Sequence, residues 1–396
     1  MKKNYYNFLD LGEQPLANFY IKKKDLGKKE KKYKLKIRFE LNSKLVSIEK
    51  TFSSKTMFNN EYPYRSSMSK TMKDSFLKLS NEIKKRIKPG KILEIGSNDG
   101  SFIKNFNKKK TIGIEPCANV EKITKDKKFN TYPSYWTQDL AKKILKKHGE
   151  VDLIYSANTI SHIKNLDDVF KAINLILSSK GTLIIEDPSL LECLKGNAYD
   201  QFYNEHIYVF SYIALKNLLK KYNLKIYKVD NLDIHGGSLR YFIKKIDQVK
   251  MLHESVLIQE KRELKYRLNL SSTYKKFALR VKNSKKKLIS IFKKCKKNNK
   301  KIIGYGATAK SVTVLNYCGI DSSYIDYFLD TTLDKQKKYT PGTKILIRKY
   351  PGSIDNDVDY VFLGAWNFKK EILKKEIKFI KSGGKFIIHT PEPRIL

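Results

Sequence analysis

The chain has 396 residues, 41% of them hydrophobic, and a formal net charge of +41. That length implies two or three domains, and that apolar content excludes a disordered chain. The charge alone suggests a nucleic-acid surface. However, the lysines are spread along the whole chain on patterned segments and Arg is scarce beside Lys, so a general lysine bias is the simpler account and no nucleic-acid partner is expected. Cys117, Cys193, Cys295 and Cys318 form no C-x-x-C pair, which argues against a disulfide framework and fits a reducing compartment. The N-terminus shows no leader pattern and no apolar run approaches about 18 residues, so neither a signal peptide nor a membrane span is expected, and a cytoplasmic location is the default.

Residues 1–75 are short, mixed and Tyr-rich, punctuated by Gly12, Pro15 and Pro63. Alternation over Tyr33–Ile37 and Lys44–Ile48 predicts a small β-rich module. Residues 76–247 switch to a strand–helix rhythm: strand Lys91–Ile95, helix Ser101–Asn107, strand Thr111–Ile114, strand Val151–Tyr155, helix Leu166–Leu177 and strand Gly181–Glu186. Such alternation predicts an α/β unit with a parallel, doubly wound sheet. Phe202–Leu219 has a helical pattern, followed by strands Lys225–Leu232 and Ser238–Ile246. Residues 248–396 open with a Lys-rich helical stretch, Met251–Lys297, softly broken at Ser271-Ser272. Strands at Lys301–Tyr305, Tyr324–Phe328, Val358–Leu363 and Gly384–His389 then predict a second Rossmann-like domain.

The most informative local string is Glu94-Ile95-Gly96-Ser97-Asn98-Asp99-Gly100. A buried-type strand runs into Gly96, and Gly100 lets backbone approach a ligand before the next element. Glu94 and Asp99 would repel a phosphate, whereas they suit a ligand that carries an ammonium and a sulfonium, and S-adenosylmethionine carries both. Glu115, followed by Pro116, stands about 20 residues on, where a carboxylate takes ribose hydroxyls. The pair of signals resembles class I methyltransferases. The competing reading is a dinucleotide-binding or non-catalytic Rossmann loop, which the G-x-x-x-G spacing and Glu94 disfavour.

Two further strings follow strand ends, where this fold class places its chemistry. Ser156-Ala157-Asn158-Thr159-Ile160-Ser161-His162 supplies Asn158 to the cofactor side and His162 to the chemistry. Gln201-Phe202-Tyr203-Asn204-Glu205-His206 supplies a phenol, a carboxylate and a second imidazole. A His near neutrality is the natural general base, a carboxylate can hold its tautomer, and Tyr or His can donate to an oxyanion. The plain alternatives are a helix-capping His162 and a surface Glu205–His206 pair.

Over nearly its whole length the chain resembles the three-domain C-methyltransferases that act on nucleotide-linked keto-deoxysugars. The resemblance is carried by Leu11-Gly12-Glu13-Gln14-Pro15-Leu16-Ala17-Asn18, by Glu61-Tyr62-Pro63-Tyr64-Arg65-Ser66-Ser67-Met68-Ser69, and by the Y-x-E-H string Tyr203-Asn204-Glu205-His206. His235-Gly236-Gly237-Ser238-Leu239-Arg240, Gly304-Tyr305-Gly306-Ala307-Thr308-Ala309-Lys310 and Leu315-Asn316-Tyr317-Cys318-Gly319-Ile320 continue the series. It implies His206 as the base, oriented by Glu205, with Tyr203 and His162 on the enolate oxygen or the sugar. One tyrosine of the Tyr62/Tyr64 pair, Tyr64 by preference, closes the site. It also implies a nucleotide-diphosphate sugar as partner, held by the segment Gly304, Tyr305, Gly306 and Ala307 at a helix start, by Lys310, and by Tyr62 and His235 along the cleft.

The chain departs from that family in one respect. The family's small N-terminal domain binds zinc through two C-x-x-C pairs, but here no Cys precedes Cys117 and no His precedes His148. Zinc needs such ligands, so none is expected. The rival functions are an O-methyltransferase of a sugar or small molecule, a nucleic-acid methyltransferase or binder, and a non-catalytic scaffold.

Overall fold

The computed structural model describes residues 4–396, which build three sheets. The first unit holds β1 (Tyr5–Gln14), β2 (Tyr33–Glu40), β3 (Val46–Ile48) and a short helix α1 (Ser54–Met57). Its alternating strands put Leu35, Ile37 and Phe39 inside and their neighbours outside.

The second unit runs α2 (Lys70–Arg86), β4 (Ile92–Ile95), β5 (Thr111–Ile114), α3 (Ala118–Asp126), β6 (Thr131–Tyr132), α4 (Gln138–His148), β7 (Val151–Ala157), α5 (Leu166–Ile176), β8 (Leu177–Pro188), α6 (Leu190–Lys195), β9 (Tyr208–Val209), α7 (Tyr212–Leu219), β10 (Leu224–Leu232) and β11 (Ser238–Lys245). Its seven-stranded sheet has the order β10-β11-β8-β7-β4-β5-β6, parallel except for the β10–β11 hairpin at one edge. This is the expected α/β class, the Rossmann-like sheet of class I methyltransferases. The chain reverses direction across the sheet between β4 and β7, so the carboxyl ends of those strands open a crevice for a ligand.

Two helices follow, α8 (Glu254–Lys265) and α9 (Ser271–Lys297). The third unit is β12 (Ile302–Tyr305), α10 (Ala309–Cys318), β13 (Tyr327–Asp330), β14 (Leu346–Lys349), β15 (Tyr360–Leu363), α11 (Lys369–Lys375), α12 (Ile377–Lys381), β16 (Lys385–Ile388) and β17 (Arg394–Ile395). Its sheet order, β14-β13-β12-β15-β16-β17 with only β17 antiparallel, is again Rossmann-like.

Three expectations need correction. Ser101–Asn107 is not a regular helix but turns and a 3-10 segment at Ile103–Asn105, because Phe102 and Ile103 are drawn into the core beneath α2. Phe202–Leu219 is helical only from Tyr212, where Ser211 caps α7 by accepting from the Ala214 N–H. Before it, Tyr208 and Val209 leave the methyltransferase sheet and pair with Ser47 and Val46 as the fourth strand of the N-terminal sheet. The expected strand at Tyr324–Phe328 is displaced to Tyr327–Asp330. Unit edges shift too. Met72, Phe76, Leu79 and Ile83 of α2 pack in one core with Ile92 and Tyr155, so the second unit begins before residue 76. Glu263 of α8 accepts from the Tyr212 and Ile213 N–H groups at 2.8 and 2.9 Å, so α8 packs with the second unit rather than the third.

The 27-residue α9 joins all three. Its buried positions Tyr274, Phe277, Val281, Leu288 and Phe292 recur at helical spacing, while its lysines face outward, which is where much of the net charge lies. Tyr274 stacks on Phe39 at 4.3 Å, Phe8 lies 5.0 Å from Tyr274, Phe202 meets both Phe8 and Phe277, and Phe292 meets Phe362 at 5.8 Å. One continuous apolar core therefore includes residues of every unit. Phe39→Ala should cost about 3–5 kcal/mol, the range for deleting a buried aromatic ring. Urea unfolding followed by near-UV and far-UV signals should move as one transition. An N-terminal module that melts separately would contradict the shared core.

Candidate active site

Gly96, Asn98 and Gly100 all have positive φ, which folds the segment after β4 into a tight loop. A Cβ on Gly96 would overlap Thr159, so the loop after β7 packs directly on it. Ser97 is buried, and the Gly96 and Ser97 N–H groups both reach the Ile114 carbonyl at 2.9 Å. Glu94 is 4% exposed and its Oε2 has no partner. Burial first, then Asp99, pushes its carboxyl well above the usual range. A ligand bearing positive charge would relieve both the orphaned oxygen and the raised carboxyl, so the residues fit S-adenosylmethionine. Glu115, at the end of β5 and followed by Pro116, accepts from the Asn98 N–H at 3.0 Å and the Cys117 N–H at 2.8 Å, leaving lone pairs on both oxygens. Asn158 sits at φ +51 after β7, with its amide 3.4 Å from His235 Nε2.

A strap from the end of the N-terminal unit closes over this loop. The Ser66 N–H donates to Asn98 Oδ1 at 2.8 Å, the Ser67 N–H to Asp99 Oδ2 at 3.0 Å, and the Asn98 amide to the Tyr64 carbonyl at 3.3 Å. Asn119 holds the Tyr62 carbonyl at 2.9 Å. Both tyrosines therefore reach the cleft, with different roles. The Tyr62 hydroxyl meets Glu205 Oε2 at 3.3 Å, while Tyr64 is 41% exposed.

The Y-x-E-H string lies in the irregular stretch between Tyr199–Gln201 and β9. His206 Nδ1–H donates to the Gln201 carbonyl at 2.7 Å, which leaves an Nε2 lone pair 2.7 Å from the Tyr203 hydroxyl. Burial, then His162 and Lys310, holds this imidazole well below its usual pKa, so it is neutral and basic at Nε2. His162 stacks between Phe58 at 5.5 Å and His206 at 5.1 Å; burial pushes its pKa down to about 4, and its Nε2 has no partner.

Glu205 does not orient His206, and here the geometry differs from the expectation. Its carboxylate turns the other way, accepting from the Asn18 amide at 2.8 Å and from Tyr62. Tyr203–His206 form a turn closed by the His206 N–H on the Tyr203 carbonyl, which sends the two side chains different ways, and the orienting acceptor is the Gln201 carbonyl instead. Glu205 faces a cleft lined by Leu16, Asn18, Tyr20 and Tyr62.

The third unit contributes differently from expectation. Gly304 lies against Phe328, a Cβ added to Gly306 would overlap Ala365, and the Tyr305 ring packs 5.4 Å from Tyr350 inside the domain core. The Ala307 N–H is taken by Asp330 at 2.9 Å, and the Thr308 N–H by Ser311 in a capping box. These glycines thus serve close packing, and those two donors are already satisfied within the protein. Lys310 does reach the cleft, donating to the His235 carbonyl at 3.2 Å. His235 itself is half-buried at φ +54, with a pKa pushed down to about 3 by loss of water and then Lys310.

Comparison with known proteins agrees with this layout. Residues 64–229 match the family model described as "Methyltransferase domain", residues 233–391 "C-methyltransferase C-terminal domain", and residues 2–58 "Putative zinc binding domain". The chain is 29% identical over 307 residues to the C-methyltransferase NovU of Streptomyces niveus, covering 77% of this chain and 73% of that one. The chain is an S-adenosylmethionine-dependent methyltransferase, similar to C-methyltransferases. Solved structures similar to it include an S-adenosylmethionine-dependent methyltransferase from Clostridium acetobutylicum, at TM-score 0.34 and 14% identity over 45% of this chain and 93% of that one. Another is the plantazolicin methyltransferase BpumL in complex with SAH, at TM-score 0.34 and 13% identity over 43% and 82%. Likeness at that level carries no argument, and the fold rests on the sheet order.

Residues 2–58 contain neither Cys nor His, so they do not fit a thiolate or imidazole zinc site. Within them, Phe39 and Val46 pair across β2 and β3 and are fully buried. Among the described residues, no helix is long and apolar enough to cross a membrane.

Asn18, Asp200, Gln201 and Trp366 were not flagged from sequence. Asn18 and Gln201 lay inside quoted strings without a role of their own, and neither periodicity nor spacing marks Asp200 or Trp366.

Burial raises the Glu205 carboxyl from 4.5 to about 7, against the lowering effect of Asn18 and Tyr62. Between those pH values the folded protein keeps a proton that the unfolded chain has lost. The stability associated with Glu205 is therefore complete below pH 4.5 and declines as pH rises through about 7. Relative to Glu205→Gln, the wild type should lose up to about 3 kcal/mol between pH 5 and pH 8 in urea titrations. A constant difference across that range would show an ordinary carboxylate.

Proposed function

We propose that this enzyme methylates a carbon beside the ketone of a nucleotide-linked keto-deoxysugar, with His206 as the base that generates the enolate. The observation that carries the reading is the Tyr203–His206 pair: a buried, neutral imidazole whose tautomer is fixed by the Gln201 carbonyl so that Nε2 is the basic atom. Such a base suits a carbon acid, which needs an unprotonated acceptor shielded from water. The C–H bond breaks and its proton passes to His206 Nε2, while the electron pair is delocalised onto the ketone oxygen. Tyr203, whose pKa burial holds well above its usual value, keeps its proton; its hydroxyl, which here donates to Nε2, turns to donate a hydrogen bond to that oxygen as substrate displaces it from Nε2. His162, with an unpartnered buried Nε2, is a second partner for the sugar. S-adenosylmethionine, which Glu94, Glu115 and the Gly96–Gly100 loop would hold, would supply the electrophilic methyl group, its sulfur departing as the neutral thioether of S-adenosylhomocysteine.

The resemblance of the motif series and the likeness to a C-methyltransferase favour carbon over oxygen as acceptor. Tyr62, His235 and Lys310 line the junction assigned to the sugar and its diphosphate. We also infer that the N-terminal unit folds without zinc, because its core is continuous with α9 and its sheet is completed by β9.

His206→Ala and His206→Asn should each lower turnover by several hundred-fold, on the order of the 10²–10⁴ typical of a positioned base, while S-adenosylmethionine still binds by calorimetry. Enzyme incubated with 4-keto-6-deoxysugar nucleotides in deuterated water should place deuterium beside the ketone without added cofactor. Exchange at wild-type rate in both variants would remove His206 from the mechanism. Cofactor binding without exchange on any keto-sugar would favour O-methylation. Elemental analysis of purified protein should find zinc well below one equivalent; a stoichiometric content would refute the zinc-free reading.

A further inference from the structure

Immediately before the Y-x-E-H string, Tyr199–Gln201 form a 3-10 turn. Asp200 in this turn is fully buried. A buried carboxylate is costly unless compensated, and the proposed chemistry does not use this one. Its compensation comes from the third unit. The Trp366 indole N–H donates to Asp200 Oδ2 at 2.5 Å, and His389 Nε2 lies 3.2 Å from the same oxygen, within ion-pair reach but outside hydrogen-bond geometry. Lys310 lies over the Trp366 ring at 5.3 Å. Burial alone would raise the carboxyl; His389, Lys310 and Trp366 together outweigh it and hold the group below its usual value.

The next residue in the turn is Gln201. Its carbonyl accepts from His206 Nδ1, and its side-chain amide donates at 2.7 Å to the His235 carbonyl, the same oxygen that Lys310 reaches. Gly236, at φ +87, presses against the Trp366 ring so closely that a Cβ there would overlap the indole. The Gly after His235 thus serves the seat of Trp366. The links run from the third unit through Asp200 to Gln201, and from Gln201 to His206.

We propose that Asp200 is a positioning residue: it ties Trp366 of the C-terminal domain to the turn whose Gln201 carbonyl sets the orientation and tautomer of His206, so that docking of the C-terminal domain arms the base. The proposal rests on the reading of His206 as base. Without the tie, the turn keeps only packing contacts to the third unit, such as Tyr199 against Tyr317 and Cys318, and the Gln201 carbonyl is held less firmly. An imidazole that loses its Nδ1 acceptor also populates the tautomer with hydrogen on Nε2, which has no lone pair to offer. A misplacement of about 1 Å at a catalytic group is worth on the order of 10²-fold in rate.

The test uses the full-length chain as Asp200→Ala, Trp366→Phe and Asp200→Asn, with two readouts. Turnover of the keto-sugar nucleotide is resolved into kcat and KM. The His206 ring nitrogens are followed by NMR in protein labelled with ¹⁵N-histidine, assigned by their loss in His206→Asn. The expected result is a fall in kcat of about 10²-fold for Asp200→Ala and Trp366→Phe, with KM and cofactor affinity within about threefold. The His206 nitrogen shifts should move from one tautomer toward a mixture. Asp200→Asn, whose side-chain oxygen still accepts from Trp366, should recover most of the rate. Trp366→Phe keeps an aromatic ring in place and answers the question if Asp200→Ala fails to fold. Wild-type His206 shifts in Trp366→Phe and in whichever Asp200 variants fold would overturn the proposal. The NMR readout needs no substrate, so it decides the tie even if exchange experiments exclude His206 as base.

Discussion

The arrangement depends on one apolar core that is not confined to any domain. Phe8 and Phe39 of the N-terminal sheet, Phe202 of the catalytic stretch and Tyr274 and Phe277 of α9 touch one another, and α9 carries the same core on to Phe292 and Phe362. A module of about 70 residues buries too little surface to be securely stable alone. Here it does not stand alone, since its inner face is covered by α9 and its sheet gains β9. Phe202 belongs to this core and Tyr203 is the next residue, so the packing that holds the domains together also anchors the catalytic string.

Burial then governs the chemistry of the cleft. Among its titratable groups, His162 and His206 are held neutral, and Glu94 and Glu205 are pushed up, in each case chiefly by loss of water. Neutral imidazoles are acceptors, and high-lying carboxyls favour a cationic ligand. The extreme net charge plays no part in this: the lysines lie mainly on outward faces such as that of α9, where they are solvated.

The two Rossmann-like units use similar loops in different ways. After β4, the glycines make room beside an orphaned carboxylate oxygen that fits a ligand. After β12, similar glycines are filled by Phe328 and Ala365, and the Ala307 N–H is taken by Asp330. A Gly-rich turn after the first strand is thus a packing device in one half and, in the function proposed, a ligand loop in the other, and the neighbouring side chains decide which.

The strands, the cofactor loop and the Y-x-E-H string were legible in the sequence because each is set locally, by alternation, by apolar runs and by glycines at positions of positive φ. The helix expected over Phe202–Phe210 was not, because pairing of β9 with a strand more than 160 residues earlier overrides local pattern. The partners of the catalytic groups were likewise hidden. Glu205 answers to Asn18, 187 residues away, and Asp200 to Trp366, 166 residues away. Adjacency of Glu205 and His206 in sequence suggested a pair; the backbone turns them to opposite sides. Sequence alone determined which chemical groups this protein owns and on which elements they ride. Only the tertiary structure decided which groups meet, because the direction of a side chain in an irregular loop is set by whatever packs against it.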